Sequence, residues 1–194
     1  MSKTDASDSL FERILATSTT LFAEHGVHKT SMRMIAESLG VTKAALYYHV
    51  DNKDELHHII QERVMDSVLG ALREIDAGDL DPAAKVRAVI SLSLCSIATH
   101  RDAYTVLLRE LGRLGQPGWQ GVAEKRQEFR RTVAGILESG IERGSFAIED
   151  ADGATLALLG MCNWAYTWVD PSDPRSIGDT AALFGDIFLD GISK

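Results

Sequence analysis

TSMRMIAESLGVTKAALYYHVDNKDEL, from Thr30 to Leu56, is the stretch whose spacing decides the fold. Ile35, Ala36, Leu39, Gly40, Val41 and Leu46 recur as two short helices would place them across a tight turn. Ala36 is small where the second helix crosses, and Gly40 can take the positive φ that a sharp turn needs. Ile35, Leu39, Val41 and Leu46 close a small core between the helices. The pattern is a helix-turn-helix, whose second helix lies in the major groove of DNA. That second helix is expected over about Thr42 to His49 and ends in Tyr47-Tyr48-His49. Such a run is poor core material and suits contact with phosphate.

The chemistry of the candidate contacts follows from their place on these helices. Thr42 and Lys43 open the second helix, where side chains reach base edges. Lysine can donate to guanine O6 or N7, and threonine can meet a phosphate or a thymine methyl. Lys53, at the start of the next helix, offers a further phosphate contact together with its N-terminal amides. Thr30, Ser31, Arg33 and Ala44 complete the candidate set. Tyr48 and His49 are read as contacts; Tyr47 could equally turn inward.

These residues make the segment resemble the DNA-binding domain of the TetR family of one-component transcriptional repressors. The likeness is close over about Leu10 to Leu56 and rests on helical pattern beyond it. It implies an all-α fold: a three-helix N-terminal helix-turn-helix domain, residues 1–56, and a C-terminal helical ligand-binding and dimerisation domain, residues 57–194. It also implies that Tyr47, Tyr48 and His49 contact or flank phosphate. Val50 departs from the pattern, since the family more often has Phe there.

Bulk properties agree with a DNA-binding regulator and exclude an indiscriminate nucleic-acid binder. The 194 residues are 45% hydrophobic and 25% charged, with a net charge of −8. A strongly acidic chain does not coat DNA without selection. Yet Lys29 to Tyr48 carries Lys29, Arg33 and Lys43 against Glu37 alone, a local net charge of +2. The polar N-terminus MSKTDASDSL has no apolar leader segment. Ala154 to Val169, an uncharged run of 16 residues, is shorter than a bilayer span of roughly 20. It reads as a buried helix, so no membrane partner is expected. Cys95 and Cys162 lie in apolar segments without Cys-x-x-Cys spacing, which suits structural thiols in a cytoplasmic protein.

Helical periodicity continues along the whole chain, and nine helices are expected. The first covers about Ser9 to His25 and stops at Gly26. Another runs from near Asn52 to about Ile75 with Leu56, Ile59, Ile60, Val64, Val68 and Leu72 as its apolar stripe. Asp81-Pro82 opens a helix to about Thr99, followed by a shorter one from Asp102 to Leu111. Gly112 to Gly118 is the clearest loop, and Trp119 to Glu142 the next helix. A further helix begins after Asp150, and a last one opens at Ser176 and runs to about Gly191.

The C-terminal part shows no nucleophile elbow, phosphate-binding glycine loop or zinc-ligand spacing, so no catalytic residue, metal or cofactor is assigned. Glu55-Leu56-His57-His58 contains one Glu-x-x-His, but the di-metal bundle pattern needs a second. These histidines are expected to face solvent. Leu92, Ser96, His100, Tyr104, Leu108, Leu111, Trp119, Phe129, Asn163, Trp164 and Trp168 form the candidate effector-binding set. Asn163 and His100 interrupt apolar faces, where a buried polar atom requires a partner. A ligand could be that partner, or the core itself. Trp164 and Trp168 share a helix face and either pack the core or touch a ligand.

Gly160-Met161-Cys162-Asn163-Trp164 with Trp168 is similar to a branch of TetR regulators of fatty-acid or steroid catabolism that respond to acyl-CoA thioesters. The similarity implies a small apolar effector of that class. Ile177, Ala181, Phe184 and Phe188, spaced 4, 3 and 4 apart, form a seam suited to a helix of a second subunit. The reading is a ligand-responsive repressor that binds palindromic operator DNA as a homodimer. An all-helical enzyme and a helical protein-interaction adaptor are the alternatives.

Overall fold

The computed structural model describes residues 3–110, 112, 118–170 and 172–193. Among them are nine α-helices: α1 Lys3–His25, α2 Met32–Leu39, α3 Lys43–Tyr47, α4 Lys53–Ala77, α5 Pro82–Thr99, α6 Arg101–Arg109, α7 Gln120–Glu142, α8 Ala151–Trp164 and α9 Pro174–Ile192. A 3₁₀ turn, Ala165–Thr167, extends α8. The final helix begins earlier than Ser176 because Asp173 caps it through the Arg175 amide and Pro174 takes its first turn. Leu111 and the loop residues 113–117 lie outside the described residues.

The chain forms two compact units, Met1–Val64 with Asp102–Val122, and Met65–Arg101 with Ala123–Lys194. A cut along the chain at residue 56 differs from this division. The first turns of α4 and α6 from Asp102 onward belong with the N-terminal helices.

In the first unit, Ile14, Phe22, Val27, Ile35, Ala36, Leu46, Val50 and Leu56 are buried. Ser31 caps α2, its Oγ accepting from the Met34 amide at 3.2 Å. Gly40 ends α2 at φ 67°, and Val41 N–H reaches back to the Ala36 carbonyl at 3.0 Å. Val50 therefore fills its place as a core residue despite being smaller than Phe. The α6 helix is fastened to α1 by Thr20 Oγ1, which donates to Asp102 Oδ2 at 3.1 Å, and by Arg109, which donates to the Ala23 carbonyl at 2.9 Å.

The second unit buries one continuous core from α4, α5, α7, α8 and α9. It includes Leu72, Val89, Ile90, Leu137, Phe146, Leu158, Ile177, Ala181, Phe184 and Leu189. By length and apolar composition α5 could cross a membrane, yet Val86, Val89, Ile90, Leu94 and Ile97 are buried in the protein. Gly140 is required, since a Cβ there would lie 2.1 Å from the Phe146 ring. Cys162 is fully buried, and burial pushes its thiol up to about 12, against a hydrogen bond with Ser93 that lowers it. Cys95, by contrast, is exposed on α5 rather than buried as a structural thiol.

Candidate nucleic-acid interface and effector unit

The turn between α2 and α3 presents a continuous polar edge to solvent. Thr42 caps α3 by accepting from the Ala45 amide at 3.1 Å, which leaves its O–H to donate outward. Lys43 and Ala44 beside it are exposed. Tyr48 is 82% exposed and Tyr47 49%, so neither aromatic serves the core. His49 is half-buried, stacked on Phe11 with ring centroids 6.1 Å apart and meeting the edge of Tyr48 at 5.3 Å. Phe11 is held in turn by Arg63, whose guanidinium lies 5.5 Å from the ring centroid and bonds both carboxylate oxygens of Glu12 at 2.9 and 2.7 Å. That pairing holds the Glu12 carboxyl below its ordinary value.

Two members of the expected contact set face elsewhere. Thr30 is buried, and its hydroxyl donates to the Leu21 and Gly26 carbonyls at 3.1 and 2.9 Å. It clasps the α1–α2 turn and is closed off from DNA. Lys53 Nζ donates to the Thr30 carbonyl at 3.0 Å and the His28 carbonyl at 3.3 Å. The ammonium ties the start of α4 to that same turn instead of standing open for phosphate. Arg33 is exposed but pairs with Glu37 at 2.6 Å, a surface i,i+4 contact weak enough for a phosphate to exchange. Ser31 keeps its outward position as the exposed cap of α2. Phe11 and Arg63 escaped the sequence reading as supports of this edge. Their signal is faint: an aromatic at the rim of the α1 stripe, far from Arg63 in sequence.

The candidate effector residues divide between the units. Tyr104, Leu108 and Trp119 belong to the first, Leu92, Ser96, His100, Phe129, Asn163, Trp164 and Trp168 to the second. Leu92 and Phe129 are partly buried against the second core, and Ser96 and Asn163 are also half-buried. His100 is exposed, because its backbone ends α5 and carries the side chain off the apolar face. Trp119 is buried in the first unit, 4.6 Å between ring centroids from His57 and 5.7 Å from His58. His57 is thus fully buried rather than solvent-facing.

Trp164 and Trp168 are 66% and 51% exposed, so they line no interior of this chain. The expected seam on α9 also turns inward. Ile177, Ala181 and Phe184 are buried in the second core, with Phe188 packed partly against it. What α9 leaves in water is Leu183 and Ile187, and α8 leaves Leu156, Gly160 and Trp164 at intervals of one helical turn.

Comparison with known proteins agrees with this geometry. Residues 14–58 match the family described as bacterial regulatory proteins, tetR family, and residues 79–192 match the tetracyclin repressor-like C-terminal domain. The chain belongs to the TetR family. It is a DNA-binding transcriptional regulator of the ligand-responsive repressor type, not an enzyme. The HTH-type transcriptional repressor KstR2 of Rhodococcus jostii is 30% identical over 183 residues, covering 93% of this chain and 90% of that protein. The structure of the ketosteroid regulator KstR2 of Mycobacterium tuberculosis superposes with a TM-score of 0.89 at 24% identity, over 95% of each chain. AibR, solved with isovaleryl coenzyme A and operator DNA, has a TM-score of 0.82 at 21% identity, over 91% of this chain and 96% of that one. At such identities the two structures speak for the fold. In this TetR regulator the helix-turn-helix match spans the later half of α1, α2, α3 and the start of α4, and the C-terminal match spans α5 to α9.

Proposed function

We propose that this regulator is a cytoplasmic homodimeric repressor that holds a palindromic operator through paired α3 helices and leaves it when an acyl-CoA thioester binds. The observation that carries the DNA part is the exposed edge of Thr42, Lys43, Tyr47 and Tyr48 on a capped helix-turn-helix. Lys43 reads a base edge, while Thr42, Tyr48 and His49 set the protein on the phosphates. The thioester is supported by AibR, whose structure holds isovaleryl coenzyme A, and the repressor role by the 30% identity to KstR2 over nearly the whole chain. Leu92, Ser96, Phe129 and Asn163, half-buried in the second unit, are the residues offered to its acyl part.

A second copy of the chain covers the free face of α8 and α9. Leu156, Trp164, Trp168, Leu183 and Ile187 are all about half exposed or more, a larger apolar display than scattered surface residues make. Gly160 lies in the α8 stripe with open space where a Cβ would stand, which lets a partner helix approach closely. Two-fold pairing there matches the two-fold symmetry of a palindromic site. The effector can release DNA only by binding one dimer arrangement better than the other.

The test is a titration of the operator complex with isovaleryl-CoA, long-chain acyl-CoA and steroid-derived CoA thioesters at fixed salt. Release by at least one of them is expected. Release by apolar compounds without the CoA group, and by no thioester, would remove the acyl-CoA assignment.

A further inference from the structure

The α1–α4 seam of the first unit encloses polar groups that the helices do not answer. Ser18 on α1 and Gln61 on α4 are fully buried, and Ser18 Oγ, Gln61 Nε2 and Gln61 Oε1 make no hydrogen bond within the described chain. Other buried hydroxyls are paired: Thr30 with Leu21 and Gly26, Ser93 with Val89, Thr155 with Ala151. Buried polar atoms in native proteins are nearly always hydrogen-bonded, to the chain or to something it holds.

Contacts on either side fix how the two helices run. Glu12 meets Arg63 at 2.7 Å, and Phe22 meets His57 with ring centroids 5.9 Å apart. Later residues of α1 therefore face earlier residues of α4, so the helices are antiparallel. Ser18 lies one turn before Phe22, and Gln61 one turn after His57. The hydroxyl and the carboxamide thus stand at the same level of the seam. Around them the helix neighbours Ile14, Phe22, His57 and Val64 are buried, with Trp119 against His57. No carboxylate, guanidinium or ammonium is among these neighbours. The hydroxyl and the carboxamide each offer both a donor and an acceptor. A charged guest would be strongly penalised in such surroundings.

We propose that Ser18 and Gln61 form a binding site, inside the DNA-binding unit, for a neutral hydrogen-bonding oxygen group. That oxygen belongs either to a hydroxyl or carbonyl group of a small neutral organic molecule or to an ordered water, which needs the same donors and acceptors. The site is separate from the acyl-CoA response proposed above and does not rest on it. A guest here acts directly on α1, which packs against α2, and on α4, whose start is tied to the α1–α2 turn.

The experiment uses the full-length protein with Gln61→Met, which keeps the side-chain length and removes both amide atoms, and with Ser18→Ala. Each variant should melt lower than wild type by roughly 3–8 °C, because a hydrogen-bonded guest is lost. Alanine is the better helix former, so a fall in Ser18→Ala cannot come from propensity. Unchanged or raised melting temperatures would overturn the proposal, since replacing truly unpaired polar groups by apolar ones is neutral or stabilising. If Gln61→Met fails to fold, Ser18→Ala carries the same sign test. Mass spectrometry of denatured wild-type protein identifies the source. A stoichiometric compound that is missing from Gln61→Met marks an organic guest. Its absence, with an ordered water between the two side chains in a crystal structure, marks water. A crystal structure showing neither would overturn the site. Operator binding by the wild type is measured separately, and its failure would count against the repressor reading alone.

Discussion

Both compact units keep large rings and aliphatic chains in water, but in different company. In the first, Tyr47 and Tyr48 stand beside Thr42 and Lys43, and half-buried His49 meets Tyr48 edge-on. Each exposed ring there carries a hydroxyl, so the edge is a set of donors with apolar flanks. In the second, Leu156, Leu183 and Ile187 carry no polar group, and Trp164 and Trp168 carry one indole N–H each. Exposure is similar in extent. On the proposed reading, the polar handle separates a surface suited to phosphate from one suited to another protein surface.

The largest effect expected from this contrast comes from placing a charge on the second surface. Ile187→Glu should give a folded protein that sediments as a monomer, because its side chain is already in water in the single chain. With only one half-site held at a time, operator affinity should fall by about 10²-fold or more. Phe184→Glu, three residues away, should instead unfold the chain, since that position is in the core and a buried charge costs several kcal/mol. Sedimentation with circular dichroism separates the outcomes. A folded, dimeric Ile187→Glu at micromolar concentration would show that the dimer is held by another face.

On the first surface, Lys43→Ala should weaken operator binding by about 1–3 kcal/mol and relax preference at one base position, as loss of a base-edge donor does. Competition with single-base operator variants measures both. Equal loss on every sequence would reassign Lys43 to phosphate.

The two regions also differ in how far they could be read from sequence. The helix-turn-helix was legible because its rules are local: Gly40 turns, and Ile35, Ala36 and Leu46 must meet across that turn. On α9 the residues at both faces are apolar. Ile177, Ala181 and Phe184 form one helical stripe, and Leu183 with Ile187 another. Periodicity finds both stripes but cannot say which one its own core takes. The answer comes from α5, whose Val86, Val89 and Ile90 share the inner core with the first stripe. Likewise Thr30 and Lys53 look like phosphate ligands by residue type. Their use as a clasp depends on carbonyls of Leu21, Gly26 and His28 brought in by the fold.

Lys53 belongs to the same unit as that edge, but its ammonium faces the α1–α2 turn. If its ammonium holds the α1–α2 turn rather than a phosphate, Lys53→Met should lower operator affinity only roughly three- to tenfold, the order of one hydrogen bond's net worth. The salt dependence of binding should keep the wild-type slope. Loss of a phosphate contact would reduce that slope by about 1. Affinity measured over a range of salt concentrations therefore tells a positioning lysine from a contacting one. A reduced slope would return Lys53 to the DNA-facing edge.

An effect of the same order belongs to Tyr48→Phe, and it tests the polar handle itself. The ring is the most exposed of the large apolar side chains in the described structure, so removing its hydroxyl disturbs no packing. The fold and melting temperature should be unchanged. Operator affinity should fall by about 0.5–1.5 kcal/mol, the net worth of one hydrogen bond, and by the same amount on operators of different sequence. A ring that only stacked against a sugar or a neighbouring side chain would lose nothing. Full affinity in Tyr48→Phe, together with a loss in Tyr48→Ala, would make this aromatic an apolar contact like those of α8 and α9, and the chemical difference between the two surfaces would then rest on Thr42 and Lys43.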